Sequence, residues 1–434
     1  MSSEAQTPSA SSTQNISRAK KLQLLGILSG FTAGAWLGAA EAPTKLVSIG
    51  ISPIAISLIM VIGVFLARWS LPALILGTSS VRADVRRAPH LIIWAVLAGC
   101  LWAVANTLTI FAIRDIGLSI AFPLWNSNSL LGIFWGFLFF NELRQAGWRR
   151  WTGVLGGALV MCAGATLLAF ASSTQGPAGH SLRGVWAALG AGVLWGTMYI
   201  PYRKAYLTGM NPLSFVTFFT FGELGMMSAL AIGYTGWPSL WQELAGARGV
   251  VFWLMLGGFI WVIGDLFQQY AAKYVGISRG IPLSNSNQLW GLLWGIFVFG
   301  ELHGRASSTY AQVIGGSLLM MLGVGAIAFS SAQSEEQTRW KEAAQREGLR
   351  YGVAADYVEA RMDGRQAAGE SAPSRTVWDG LLVAAATAVF IVFASMARVP
   401  QLSLNWLPAA LLAIALLVLL FICTLALYRT TRFH

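Results

Sequence analysis

Shifted by 159 residues, the distance from Asn126 to Asn285, this chain lies on top of itself. Pro123-Leu124-Trp125-Asn126-Ser127-Asn128 falls on Pro282-Leu283-Ser284-Asn285-Ser286-Asn287. Trp36 meets Trp195, Lys45 meets Lys204, Trp102 meets Trp261, and Trp135, Gly136 and Glu142 meet Trp294, Gly295 and Glu301. No gap is needed from Trp36 to Ser172. Chance does not produce such a match, so whatever one half folds into, the other must fold into as well.

The repeated unit is apolar. Hydrophobic residues make up 56% of the 434 and charged residues 11%, against about 25% charged in a soluble domain. Too little polar surface remains to cover a soluble core. An apolar run of about 20 residues crosses a bilayer as a helix. Such runs lie near 22–40, 53–75, 91–113, 118–140, 152–172, 184–202, 212–234, 250–272, 277–299 and 310–331, with two more near 377–397 and 405–428. A twelve-strand barrel is excluded, because barrel strands alternate and run about 10 residues. The expected fold is an all-α polytopic membrane protein. Its ten-helix core holds two five-helix repeats, 22–173 and 183–332, and a C-terminal two-helix hairpin follows at 377–434.

Five is odd, so the second repeat must enter the membrane inverted, the arrangement of many secondary transporters. Charge tests this. Arg82, Arg86, Arg87, Arg144, Arg149 and Arg150 belong to inner loops, and 159 residues on stand Trp241, Ala245, Gly246, His303, Ser308 and Thr309. Arg248 and Arg305 remain in those outer loops, while Thr44 and Ile120 become Arg203 and Arg279 on the inner side. Positive charge follows the cytoplasmic face. The net charge of +11 is thus a topology signal and not a nucleic-acid surface. Arg18, Lys20, Lys21, Arg429 and Arg432 put both termini in the cytoplasm of a cell-membrane protein. Residues 1–21 read as a disordered cytoplasmic tail and not a signal peptide. The stretch 333–376, with Glu335, Glu336, Arg339, Lys341 and Glu342, reads as a solvated, charged helical linker. Cys100, Cys162 and Cys423 are scattered through apolar runs, which supports neither a disulfide framework nor a metal site.

No GxSxG, HExxH or Walker A sequence is present, so neither an enzyme nor a cofactor is expected. Polar residues inside the spans are the functional pointers, because each is costly in lipid and tends to face a cavity. The two triplets, Asn126, Ser127 and Asn128 with Asn285, Ser286 and Asn287, offer donors and acceptors together and suit a hydroxyl- or amide-rich substrate. Interhelical hydrogen bonding is the competing reading. Trp36 and Trp195 hold matching places and could stack on a sugar face, or belong to an interfacial belt. Asn106, Gln268 and Gln288 complete the substrate-binding candidates. Two acids lie well inside spans, Glu223 and Asp265, the latter matching Asn106. They are the candidates for proton coupling. Glu41, beside Pro43 and Lys45, reads as a gate or a plain surface pair. Glu142 and Glu301 read as caps or salt bridges, and Gly132, Gly136, Gly153, Gly156, Gly157, Gly291 and Gly295 as packing sites.

Ten spans in two inverted halves resemble the drug/metabolite transporter superfamily. The run Trp102…Asn106…Gly117-Leu118-Ser119…Pro123…Asn126-Ser127-Asn128…Gly132…Gly136…Phe140-Asn141-Glu142 and its twin, Trp261…Gly276-Ile277-Ser278…Pro282…Asn285-Ser286-Asn287…Gly291…Gly295…Phe299-Gly300-Glu301, are similar to the glucose/ribose porter family. Ureide permeases and the eukaryotic transmembrane-144 proteins are its relatives. The resemblance covers about 22–332. It implies sugar import, often with protons, and a central cavity lined by the fourth and ninth spans, where the triplets fall. The charged helix and the last two spans depart from the family's pattern. The expected function is proton-coupled uptake of a sugar or similar small polar metabolite by alternating access in the bilayer. Drug or metabolite export by proton antiport is the alternative, as is a membrane sensor or scaffold acting through 333–376.

Overall fold

The computed structural model describes residues 10–45, 51–140, 147–173, 178–330, 334–366, 374–398 and 404–433, and all their regular structure is helical. In chain order the helices are α1 (Ala10–Ala40), α2 (Ala42–Lys45), α3 (Pro53–Ile75), α4 (Thr78–Arg87), α5 (Leu91–Ile116), α6 (Leu118–Trp125), α7 (Asn128–Phe140), α8 (Trp148–Ser173), α9 (Ala178–Leu207) and α10 (Pro212–Thr235). They continue with α11 (Trp237–Gly246), α12 (Val251–Val275), α13 (Ile277–Ser284), α14 (Asn287–Leu293), a π turn (Trp294–Val298), α15 (Ser307–Ser330), α16 (Ser334–Tyr351), α17 (Ala355–Met362), α18 (Val377–Met396) and α19 (Trp406–Thr431). Nine helices among the described residues are long and apolar enough to cross a membrane. The protein is integral to a membrane.

Three expectations change. The runs 118–140 and 277–299 are not single helices: each breaks at its Asn-Ser pair, into α6 and α7, and into α13, α14 and the π turn. Helix α1 begins at Ala10, so the expected tail is helical from there. Good helix formers such as Ala19, Lys20, Lys21 and Leu22 carry the helix back, and Arg18 is tied to the carbonyls of Asp363 and Gly364. The final pair of helices is splayed. α18 packs on α3 and α12, while α19 packs on α1 and the π turn. Backbone bonds from Arg398 to Gly249 and from Asn405 to Val298 anchor the two inner ends of the pair at separate points on the core. Residues 1–9 and Glu142 lie outside the described residues.

Packing follows the 159-residue shift. α1 lies along α12, and its match α9 lies along α5; α3 crosses α12, and its match α10 crosses α5; α8 pairs with its own match, α15. Glycine makes these crossings possible. A Cβ on Gly63 would stand 2.1 Å from the Met255 carbonyl oxygen, and one on Gly258 would stand 2.1 Å from that of Met60. Their matches, Gly222 and Gly99, would meet the carbonyls of Val96 at 1.9 Å and Phe219 at 2.1 Å. In lipid, where apolar burial gives helices little reason to associate, such close backbone contact drives it. Of the glycines singled out in α8, Gly157 meets the Gly323 carbonyl, whereas Gly156 faces open space.

The charged stretch is not a free linker. Its second helix, α17, docks where Arg18 of α1 and the α9–α10 turn end, opposite the Lys45 end of α1. Asp84 of α4 is the hub and is buried. Arg361 Nη2 donates to its Oδ1 at 3.0 Å and the Tyr357 hydroxyl at 3.2 Å. Ser214 Oγ donates to its Oδ2 at 2.7 Å and the Asn211 amide at 3.2 Å. Burial, then the Asp84 carboxylate, raises the Tyr357 hydroxyl above its ordinary range, so it stays a donor. Breaking a buried ion pair costs about 3–5 kcal/mol, more than a docked two-turn helix can spare. Asp84→Ala is therefore expected to release α17, read as tryptic cleavage after Arg361 at least tenfold faster, roughly the factor 1.4 kcal/mol gives. Unchanged digestion would place the docking energy elsewhere.

Candidate functional site

Two broken helices meet at the centre of the bundle. Gly117 and Gly276, at φ of +78° and +83°, end α5 and α12 and turn the chain into α6 and α13. Glycine adopts that left-handed conformation without strain. Each half-helix then stops after one more proline, and the next starts at the triplet. Asparagines satisfy the breaks reciprocally. Asn126 Nδ2 donates to Asn287 Oδ1 at 2.6 Å and to the Asn285 carbonyl at 3.4 Å. Asn285 Nδ2 donates to Asn128 Oδ1 at 2.8 Å and to the Asn126 carbonyl at 3.0 Å. The four residues exchange bonds under the same 159-residue shift. Asn285 also reaches Ser129 Oγ at 2.5 Å.

Beside this clasp lies a buried cavity of about 30 Å³, walled by all four asparagines together with Trp125, Trp195, Tyr199, Trp261, Gln268 and Glu41. That is room for about one water molecule, so a ring sugar enters only if the walls part. Trp195 stands edge-on to Trp125 at 5.7 Å. Its buried indole N–H has no hydrogen-bond partner among the described residues. Gln268 Nε2 donates to the Tyr199 hydroxyl at 3.0 Å and to Ser284 Oγ at 2.6 Å. The matched pair Trp102 and Trp261 meet each other, edge to face, at 4.6 Å.

Behind Trp261 sits a charged cluster. Arg68 of α3 lies 3.2 Å from Glu223 Oε1 and 3.0 Å from Asp265 Oδ2, and all three side chains have no exposed area. The guanidinium covers the Phe219 ring at 4.0 Å and Trp261 at 5.3 Å. The Tyr202 hydroxyl donates to Asp265 Oδ1 at 3.2 Å, and Gln269 Nε2 donates to Oδ2 at 2.7 Å. Gln269 in turn accepts from Tyr206. With every member ionised the cluster carries one net negative charge; with one proton it is neutral. The 159-residue shift converts Arg68, Glu223 and Asp265 into Met227, Val64 and Asn106, which makes an uncharged copy. There Asn106 Nδ2 donates to Ser57 Oγ at 2.7 Å and Thr107 leans on Met227.

The expected residues thus divide. Asn126, Asn128, Asn285, Asn287, Trp195 and Gln268 line one cavity, and Asp265 and Glu223 share one cation behind it. Ser127 is half-buried, with Oγ close to Gly192, and Ser286 packs its Oγ against Gly34. Gln288 is fully buried with neither amide atom bonded among the described residues, yet it is not part of the wall. Asn106 is held by Ser57, away from the cavity. Trp36 faces α19 instead, its indole donating to the Leu416 carbonyl at 3.2 Å. Glu301 bridges Lys45 at 2.6 Å and accepts from the Leu118 amide at 3.2 Å, at the start of α6. Sequence reasoning missed Arg68, Tyr199 and Tyr202. A lone arginine inside an apolar span was the available signal for the first.

Removing the cation leaves two buried carboxylates unpaired, which costs about 3–5 kcal/mol, whereas neutralising a whole cluster is often harmless. Arg68→Met is expected to collapse the yield and thermal stability of detergent-purified protein. Arg68→Met with Glu223→Gln and Asp265→Asn is expected to recover most of both. A triple variant as unstable as the single one would show that the guanidinium acts through packing.

The sugar transport protein family matches residues 187–355. A protein of Streptococcus pyogenes serotype M1, provisionally named a sugar uptake protein, is 32% identical over 157 residues, 36% of this chain and 48% of its own length. One of Listeria monocytogenes serovar 1/2a with a similar provisional name is 29% identical over 151 residues, 35% and 48% of the two chains. A third, from Lactobacillus johnsonii, is 33% identical over 82 residues, 19% and 28% of the two chains. The chain thus spans about half the length of the first relatives it matches. One solved structure aligns over 68% of this chain and 96% of its own at 15% identity and a TM-score of 0.39, too loose a likeness to bear on the fold. By sequence, the chain resembles sugar-uptake porters.

Proposed function

We propose that the protein is a secondary carrier that takes up a sugar or similar small polar metabolite with a proton, by alternating access. The observation that carries this reading is the cavity at the crossing of two matched, broken helices, walled by asparagine amides and tryptophan faces. Broken helices at the centre of a bundle are where secondary carriers hold their substrates. Amides bond hydroxyls, and indole rings cover the apolar face of a sugar. The resemblance to sugar-uptake proteins points the same way.

Two inverted five-helix halves, 22–173 and 183–332, supply the rocking parts. The exchange of partners between α1–α12 and α9–α5 supports that division. The cavity is too small for a sugar as it stands, so binding has to move the halves. The Lys45–Glu301 pair at one end and the Asp84–Arg361 dock at the other are the contacts that such motion must break in turn. Positive charge supports a cytoplasmic position for the Asp84 end, both termini and the docked stretch. The Arg68 cluster carries the proton. Buried net charge is costly, so the cluster takes a proton when closed off from water and yields it when wetted.

Proteoliposomes loaded with a sugar panel test the reading. Wild-type protein is expected to accumulate one sugar under an inward proton gradient, and movement of none would end the proposal. Asp265→Asn makes the cluster neutral without a proton, so gradient-driven accumulation is expected to fall while sugar exchange persists. Asn126→Ala and Asn285→Ala are each expected to raise the half-saturating sugar concentration about tenfold, or ~1.4 kcal/mol.

A further inference from the structure

Among the described residues Glu41 makes no ion pair with the charged cluster. It occupies the joint between α1 and α2, is 2% exposed and forms part of the cavity wall. Among the described residues its carboxylate has one partner, the Thr44 hydroxyl, which donates to Oε2 at 3.2 Å and to the Glu41 backbone oxygen at 2.7 Å. The charged groups on the elements packed against α1 and α2 are engaged elsewhere or make no ion pair with it. Lys45 pairs with Glu301, Asp265 of α12 pairs with Arg68, and Lys273 of α12, Arg279 of α13 and Arg429 of α19 make no ion pair with Glu41. The one other titratable side chain on the cavity wall is the phenol of Tyr199. The fold itself does not call for an acid here, because the matching position 159 residues on is Ile200.

We propose that Glu41 contacts the substrate directly, in its protonated form, so that sugar and proton bind at this carboxyl as one event. The inference rests on the carrier reading above and adds a second titratable group to it. A buried carboxylate without a cation is strongly disfavoured, and neutralisation by a proton relieves it. The resulting carboxylic acid both donates and accepts, which matches a sugar hydroxyl. When the cavity opens to water, hydration replaces those bonds and the proton leaves with the substrate.

The test uses D-glucose and D-ribose as the hexose and pentose probes in counterflow from proteoliposomes. For wild-type protein, half-saturation is expected to rise with pH by up to about tenfold per unit, since only the protonated acid binds. Glu41→Gln keeps the shape and the donor and is expected to flatten that dependence while exchange continues. Exchange by wild-type protein with an unchanged pH profile in Glu41→Gln overturns this proposal alone. Exchange of neither sugar by wild-type protein overturns the carrier reading and this proposal with it. A second measurement needs no variant. Dicyclohexylcarbodiimide adds to a protonated carboxyl in an apolar site: the acid proton moves to a carbodiimide nitrogen and the carboxyl oxygen bonds to the central carbon. Mass spectrometry of the wild-type protein is expected to find the adduct on Glu41 at acid pH, reduced severalfold by the transported sugar. No adduct on Glu41, or one that the sugar leaves untouched, overturns the proposal.

Discussion

A helix that breaks inside hydrocarbon exposes backbone groups that no water can satisfy, and each such group costs several kcal/mol. This chain breaks two helices at matching positions, and the remainder of its architecture follows from how those breaks are healed. Each asparagine at a break donates to the backbone carbonyl at the other. Its remaining amide hydrogen goes to the second asparagine of the opposite triplet. Neither break is satisfied alone, so α6 and α7 must lie against α13 and α14. That requirement aligns the halves, and the close glycine crossings of α3 with α12 and of α5 with α10 fit around it.

The same clasp explains the cavity. Helices that cross through a polar knot cannot pack side chains tightly at that point, and the space beside the knot is walled by groups already selected for hydrogen bonding. Binding a substrate there means exchanging asparagine–asparagine bonds for asparagine–hydroxyl bonds. Such an exchange is close to neutral in hydrogen-bond energy. On the carrier reading proposed above, it would weaken one of the contacts that hold the halves in register, which would give the substrate a direct means to move them.

Comparing the repeats revealed the matched residues and concealed the unmatched ones. The triplets were legible because they recur. Arg68 was not legible in that way, because its counterpart is Met227 and its partners arrive from α10 and α12, some 150 to 200 residues along the chain. Glu41 was read at a helix end, where the sequence has no means of telling a rim from a wall. Trp36 shows the converse error. It matches Trp195 in sequence, but α19, which has no counterpart in the repeat, covers its face and takes its indole N–H. The charged stretch was read as solvated because its composition is polar. Its docking depends on Asp84, one buried carboxylate more than 270 residues upstream.

The unmatched residues share one place. Glu41 directly follows α1, Arg68 and Asp265 belong to α3 and α12, α1 and α3 both pack on α12, and Glu223 reaches Arg68 from α10. The equivalent positions on the other side of the bundle are Ile200, Met227, Asn106 and Val64, none of them charged. Buried charge polarises whatever surrounds it, and thin cover from lipid draws water defects toward it. The two appended helices answer that problem. α18 packs on α3 and α12, and α19 packs on α1, so both lie over the charged side, while the neutral pair α5 and α9 has no such cover. On the carrier reading proposed above, symmetry in shape lets the halves exchange conformations, and asymmetry in charge gives the exchange a direction. In this fold α18 and α19 are apolar helices laid against the charged side.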